Sequence, residues 1–129
     1  MPQGIVLGSK VVNVLIVDDQ PQLRNLLTNV LQRDGGFHVT EASSGEEALD
    51  LSRNLCDRID ILITDIDMEG MSGIDLYKYL RAERPGTAVL FISADVDRIL
   101  ESLPECSVLE KPFNPTQFVA RVAEVLSAS

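Results

Sequence analysis

The sequence lacks tryptophan and has a single histidine and only two cysteines in 129 residues. Those cysteines, Cys56 and Cys106, lie far apart with no metal-ligand or redox spacing, so a disulfide framework and a zinc knuckle are excluded and two reduced thiols are expected. No apolar run approaches the ~20 residues that cross a bilayer. The longest, Val11 to Val17, is interrupted by Asn13 and stopped by Asp18 and Asp19. The opening residues, MPQGIVLGSK, lack the basic start and apolar stretch of a signal peptide, so a cytoplasmic location without membrane association is expected. Positive charge is scarce: 11 basic residues stand against 20 acidic ones, for a net charge of −9. With no Lys or Arg run to offset it, that charge repels nucleic-acid phosphates and anionic headgroups and argues against direct DNA binding. Internal repeats and low-complexity tracts are also missing.

What the chain does have is enough apolar content, 45%, for a real core in one domain of this length. Strand-like runs alternate with helix-like stripes, the pattern of an α/β fold with a parallel sheet. The runs are Val11 to Val17, Phe37 to Ala42, Asp60 to Thr64, Ala88 to Ser93 and Ser107 to Glu110. The first, third and fourth are nearly all apolar, as strands covered on both faces are. The second alternates and reads as a sheet edge.

Helical stripes fill the intervals. Leu23, Leu26, Leu27, Val30 and Leu31 repeat at helical spacing before the stop signal Gly35-Gly36. Ser44 and Glu47 form a capping box ahead of Ala48, Leu51 and Leu55. Ser72 caps a third helix that turns Leu76, Tyr77 and Leu80 to the sheet and ends before Pro85-Gly86. A short fourth helix is expected with Asp97 as cap and Ile99, Leu100 and Leu103 as its apolar side, closed by Pro104. The last takes Asn114 as cap and Pro115 at its first position, then Phe118, Val119, Val122, Val125 and Leu126.

Ligands of open α/β sheets gather at the carboxyl ends of the strands. Four of the five runs deliver a reactive group there: Asp18-Asp19, Asp65, Ser93 and Lys111-Pro112. Singly, each has an ordinary structural explanation as a cap, a turn or a surface dipeptide. Together they converge. Three carboxylates ~4 Å apart repel by up to several kcal/mol per pair, a cost tolerated mainly where a cation or ammonium offsets it. Hard oxygen ligands suit Mg²⁺, Lys111 adds a fixed positive charge, and the cluster fits a phosphoryl group. A carboxylate can attack phosphorus and hold it as an acyl phosphate, which makes Asp65 the candidate nucleophile, with Ser93 as hydroxyl donor.

The string Val14 to Asp19, then Asp65 followed by Met68, Met71 and Gly73, then Phe91 to Ala94, then Lys111-Pro112-Phe113, resembles the receiver domain of two-component response regulators. The resemblance covers residues 11–126, leaving 1–10 as an N-terminal extension and 127–129 as a tail. It implies a doubly wound, flavodoxin-like three-layer sandwich with a five-stranded parallel sheet in the order 2-1-3-4-5. By the resemblance, Asp65 accepts a phosphoryl group from a histidine kinase or a histidine phosphotransfer protein. Asp19, Asp65 and the backbone carbonyl of Asp67 would hold Mg²⁺, with Asp18 helping through water. Ser93 would be the switch hydroxyl, and Lys111, joined to Pro112 by a cis bond, would pair with the phosphoryl group. Such a domain is a signalling module, catalysing only its own phosphorylation and dephosphorylation, and a weak homodimer is among its expected states.

Two positions depart from the family pattern. Glu69 stands where a proline is usual, and Val108 stands where many receivers carry an aromatic that swings inward on phosphorylation. Other readings remain open at this stage. Leu62 to Asp67 also resembles the first motif of haloacid-dehalogenase-like phosphatases, although a diacid strand precedes it here. A flavin carrier fits the fold, but no Ser/Thr-rich phosphate loop follows the first run. A receiver-like docking module that is never phosphorylated is the non-catalytic alternative.

Overall fold

The computed structural model describes residues 11–128, so the expected extension at 1–10 lies outside the described residues. Strands and helices alternate throughout. They are β1 (Val12–Val17), α1 (Pro21–Asp34), β2 (Phe37–Ala42), α2 (Gly45–Asn54), β3 (Ile61–Asp65), α3 (Gly73–Glu83), β4 (Ala88–Ser93), α4 (Val96–Ser102), β5 (Ser107–Glu110) and α5 (Pro115–Ala128). All strand pairs are parallel, in the order β2-β1-β3-β4-β5. The alternating run Phe37 to Ala42 is an edge strand, as its pattern predicts.

Alternation along each strand divides the core in two, because successive side chains leave opposite faces of a sheet. On one face Leu15, Val17, Leu62, Phe91 and Val108 meet Ala48 and Leu49 of α2, Leu76 and Leu80 of α3, and Ile99 of α4. On the other, Val12, Val14, Ile16, Ile61, Ile63, Leu90, Ile92 and Leu109 meet Leu27 and Leu31 of α1 and Phe118, Val122 and Val125 of α5. The result is a doubly wound sandwich with β1, β3 and β4 covered on both sides.

Capping follows the sequence closely in three helices. The Ser44 hydroxyl accepts from Glu47 N at 3.0 Å, while the Glu47 carboxylate reaches back to Ser43 N, one residue before the cap. Ser72 accepts from Asp75 N, and Asn114 and Gln117 exchange reciprocal bonds at 2.8 and 2.9 Å. Proline opens both α1 and α5.

Several expectations need correction. The third strand runs one residue later than expected, because Asp60 is taken up at the strand entrance, accepting from Asn13 N and pairing with Arg58. The α2 stripe is rotated: Ala48, Leu49 and Ser52 are buried, whereas Leu51 and Leu55 are only partly so. In α1 Leu26 faces outward. The cap of α4 is Asp95, not Asp97, since the Asp95 side chain accepts from Arg98 N at 3.2 Å. Asp97 instead sits in the first turn, where its charge suits the helix dipole. Leu100 points to solvent, leaving Ile99 as the only buried residue of α4.

Long polar side chains tie the layers together. Arg84, at the end of α3, donates to Ser52 Oγ and O, Leu55 O and Asp57 O. Arg121 of α5 donates to the backbone carbonyl of Val108 in β5 at 2.7 Å.

Candidate phosphorylation site

Parallel pairing puts the carboxyl ends of β1, β3, β4 and β5 at one rim of the sheet. Asp65 closes β3 opposite Ile92, and Ser93 closes β4 opposite Glu110, with Lys111 N donating to Ser93 O at 2.9 Å. β1 ends one residue before Asp18, whose N–H reaches Ala42 O at the end of β2. One carboxylate oxygen from each of Asp18, Asp19 and Asp65 lies within 4.8 Å of the other two. Asp18 and Asp65 are buried and Asp19 is exposed, so the cluster opens to solvent on the Asp19 side.

Each carboxylate is held differently. Asp65 Oδ2 receives Lys111 Nζ at 3.1 Å, and its Oδ1 accepts a longer bond from Asp67 N at 3.3 Å. Asp18 Oδ1 accepts from Gln20 N at 2.7 Å, while its Oδ2, fully buried, has no hydrogen-bond partner among the described residues. Burial pushes the Asp18 carboxyl above its ordinary range; the Gln20 N–H pulls the other way, and the Asp65 charge adds to the rise. Asp19 Oδ2 accepts from Glu69 N at 3.3 Å. A proline at 69 would have no N–H to offer, so this bond depends on the departure from the family pattern.

Gly73 explains the tight turn behind Asp65. A Cβ at this position would collide with the Asp65 carbonyl oxygen, and the Gly73 N–H donates to Ile66 O at 2.9 Å. Only a residue without a side chain lets the start of α3 pass this close to the end of β3. The Lys111-Pro112 peptide is cis.

The described residues include partners that sequence spacing does not reveal. Arg24 Nη1 donates to Asp18 O at 2.7 Å and its Nε pairs with Glu41 at 3.0 Å, fixing the end of β1. Arg98 Nη2 reaches from α4 to Asp67 Oδ1 at 3.1 Å. Ser93 Oγ accepts from Asp95 N at 2.9 Å. On the face below, the Tyr77 ring stands edge-on to Phe91 at 5.5 Å, beside Val108 in the β4–β5 register.

An unpartnered oxygen, buried beside two further carboxylates, fits a hard divalent cation that prefers oxygen ligands.

Comparison with known proteins agrees with this geometry. The sequence model of the response regulator receiver domain matches residues 14–123, nearly the whole chain. The chain belongs to that family. This receiver domain is 40% identical over 120 residues to the transcriptional regulatory protein CpxR of Escherichia coli K12, covering 90% of this chain and 50% of that protein. It is 39% identical over 114 residues to the DNA-binding response regulator MtrA of Mycolicibacterium smegmatis, covering 84% of this chain and 48% of the relative. The chain thus spans about half the length of the curated relatives it matches. Among solved structures, the response regulator TrrA of Thermotoga maritima, in complex with Mg²⁺-BeF, superposes with a TM-score of 0.77 at 28% identity, over 89% of this chain and 99% of that one. The receiver is a signalling domain of two-component systems, and no described helix is long and apolar enough to cross a membrane.

Proposed function

We propose that this receiver domain accepts a phosphoryl group on Asp65 from a histidine kinase or histidine phosphotransfer protein, with Mg²⁺ bound at the acidic cluster. The observation that carries the reading is the pairing of the buried Asp65 carboxylate with Lys111 Nζ beside the unpartnered oxygen of Asp18. In the transfer, an Asp65 oxygen attacks phosphorus, the P–O bond forms, and the P–N bond of the donor phosphohistidine breaks with its electron pair returning to the imidazole. Lys111 stays beside the reacting carboxylate and balances charge on the phosphoryl oxygens. Ser93, at the end of the neighbouring strand, supplies a hydroxyl donor. Asp19, Asp65 and the Asp67 backbone carbonyl would hold the metal directly and Asp18 through water. A bound Mg²⁺ supplies charge neutralisation at the phosphoryl oxygens, the role for which the Mg²⁺-BeF complex of TrrA offers a parallel.

On this reading the chain is a switch that catalyses only its own phosphorylation and dephosphorylation. It works in the cytoplasm, and its net charge of −9 turns it away from direct nucleic-acid contact. A weak homodimer is compatible with the same role. Incubation with acetyl phosphate and Mg²⁺, followed by intact-mass and peptide analysis, tests the assignment. One phosphoryl group is expected on Asp65, lost on Asp65→Asn and in wild type with EDTA. Normal labelling of Asp65→Asn would remove Asp65 as the acceptor, continuous turnover of the donor would indicate a phosphatase, and no labelling at all a docking module.

A further inference from the structure

Val108 offers no ring that could follow Ser93 when the site changes state, so a signal must leave by another route. The hydrogen bonds around the site describe one. Asp67 N donates to Asp65 Oδ1, Arg98 Nη2 pairs with Asp67 Oδ1, Arg98 N donates to Asp95 Oδ1, and Asp95 N donates to Ser93 Oγ. These contacts join the nucleophile to the switch hydroxyl by way of α4. Both arms end on one residue: Arg98 holds the loop after β3 with its side chain and the loop after β4 with its backbone.

We propose that Arg98 is a positioning residue of the phosphorylation site, which through Asp67 and Asp95 makes α4 respond to the state of Asp65 and Ser93 in place of an aromatic relay. The inference rests on Asp65 being the phosphoacceptor. Phosphorylation replaces the Asp65 carboxylate by an acyl phosphate, whose carbonyl and bridging oxygens accept the Asp67 N–H less strongly. It also draws the Ser93 hydroxyl toward the phosphoryl oxygens and disturbs the bond from Asp95 N that supports the α4 cap. α4 is suited to respond, because it is seven residues long and buries only Ile99. The Arg98 and Asp67 side chains are 54% and 69% exposed, so their pair adds little to stability and its removal leaves the domain folded.

The test is amide shift mapping with beryllofluoride and Mg²⁺ on wild type, Arg98→Gln, Arg98→Lys and Asp67→Asn. Arg98→Gln keeps the backbone N–H that caps α4 and loses only the ion pair. Wild type is expected to shift throughout 96–102 as well as around Asp65 and Lys111. In Arg98→Gln the equilibrium between the two states of α4 should move by up to about five-fold, the range one exposed ion pair can supply, read as smaller shifts at 96–102 while those at Asp65 and Lys111 persist. Asp67→Asn should weaken the α4 response from the other side of the pair, and Arg98→Lys should restore part of it, which a purely structural role would not produce. Wild-type shifts across 96–102 in both Arg98→Gln and Asp67→Asn would overturn the inference, as would an α4 that does not respond in wild type. A wild type that binds beryllofluoride and labels on Asp65 keeps the proposed function whatever Arg98 does; one that does neither removes both.

Discussion

Asp18 carries the least compensated charge of the site. Asp65 has an ammonium against it and Asp19 reaches solvent, but Asp18 is buried with one oxygen bonded to Gln20 N and the other without a partner among the described residues. In metal-free protein, Asp18→Asn is therefore expected to raise stability by about 1 to 2 kcal/mol, the scale of one unsatisfied buried group. Asp65→Asn should gain less, because it strips the partner from the half-buried Lys111. Thermal melts in EDTA compare the two. Acid dependence gives a second readout with a definite sign. Burial raises the Asp18 pKa above its ordinary 3.8, so between that value and the raised one the folded state binds more protons than the unfolded. Stability then falls as pH rises through this window. Glu47 and Glu83, held below their ordinary range by Ser43 and Arg53, slope the other way, so the Asp18 contribution is read as the difference between wild type and Asp18→Asn in EDTA.

Elements are held to one another by arginines more than their apolar stripes suggest. Arg84 donates to the carbonyl of Ser52, which also accepts from Leu55 N at the end of α2, and to those of Leu55 and Asp57. Arg84→Ala is expected to cost about 2 to 3 kcal/mol in urea unfolding, and Arg84→Lys to recover only part of it, because an ammonium lacks the planar fork. The periodicity of the sequence carries the alternation of strands and helices and the edge position of Phe37 to Ala42, local residue types carry the caps at Ser44, Ser72 and Asn114, and the strand order follows from the resemblance to receiver domains. Residue type fails at α4, where Asp95 and Asp97 offer equal local signals and the choice is made by the Asp95 N–H reaching Ser93. A helix this short also lacks room for the full stripe, which leaves Leu100 outside. The rim acids, Ser93 and Lys111 are legible because each closes a strand-like run or follows directly after one. Arg24, Arg98 and the N–H groups of Gln20 and Glu69 are not, because their reach across loops follows from folded geometry and leaves no spacing in the chain.

At the scale of the whole molecule, the net charge of −9 and an acidic cluster balanced only in part by Lys111 lead to the expectation that a divalent cation stabilises the fold by mass action. Mg²⁺ at ~100 times its dissociation constant should add about 2.7 kcal/mol, read by calorimetry as a rise in Tm that EDTA reverses. A Tm unmoved by Mg²⁺ would count against metal binding at the cluster. The bond from Arg121 to Val108 O matters at this scale for another reason. Among the described residues β5 pairs only with β4, and since Lys111 N turns inward to Ser93, strand alternation points the Val108 carbonyl away from the sheet. An open acceptor there would invite the strand of another molecule to add on. The Arg121 guanidinium occupies that acceptor, so the strand of a second molecule approaching this edge would find one ladder position already taken.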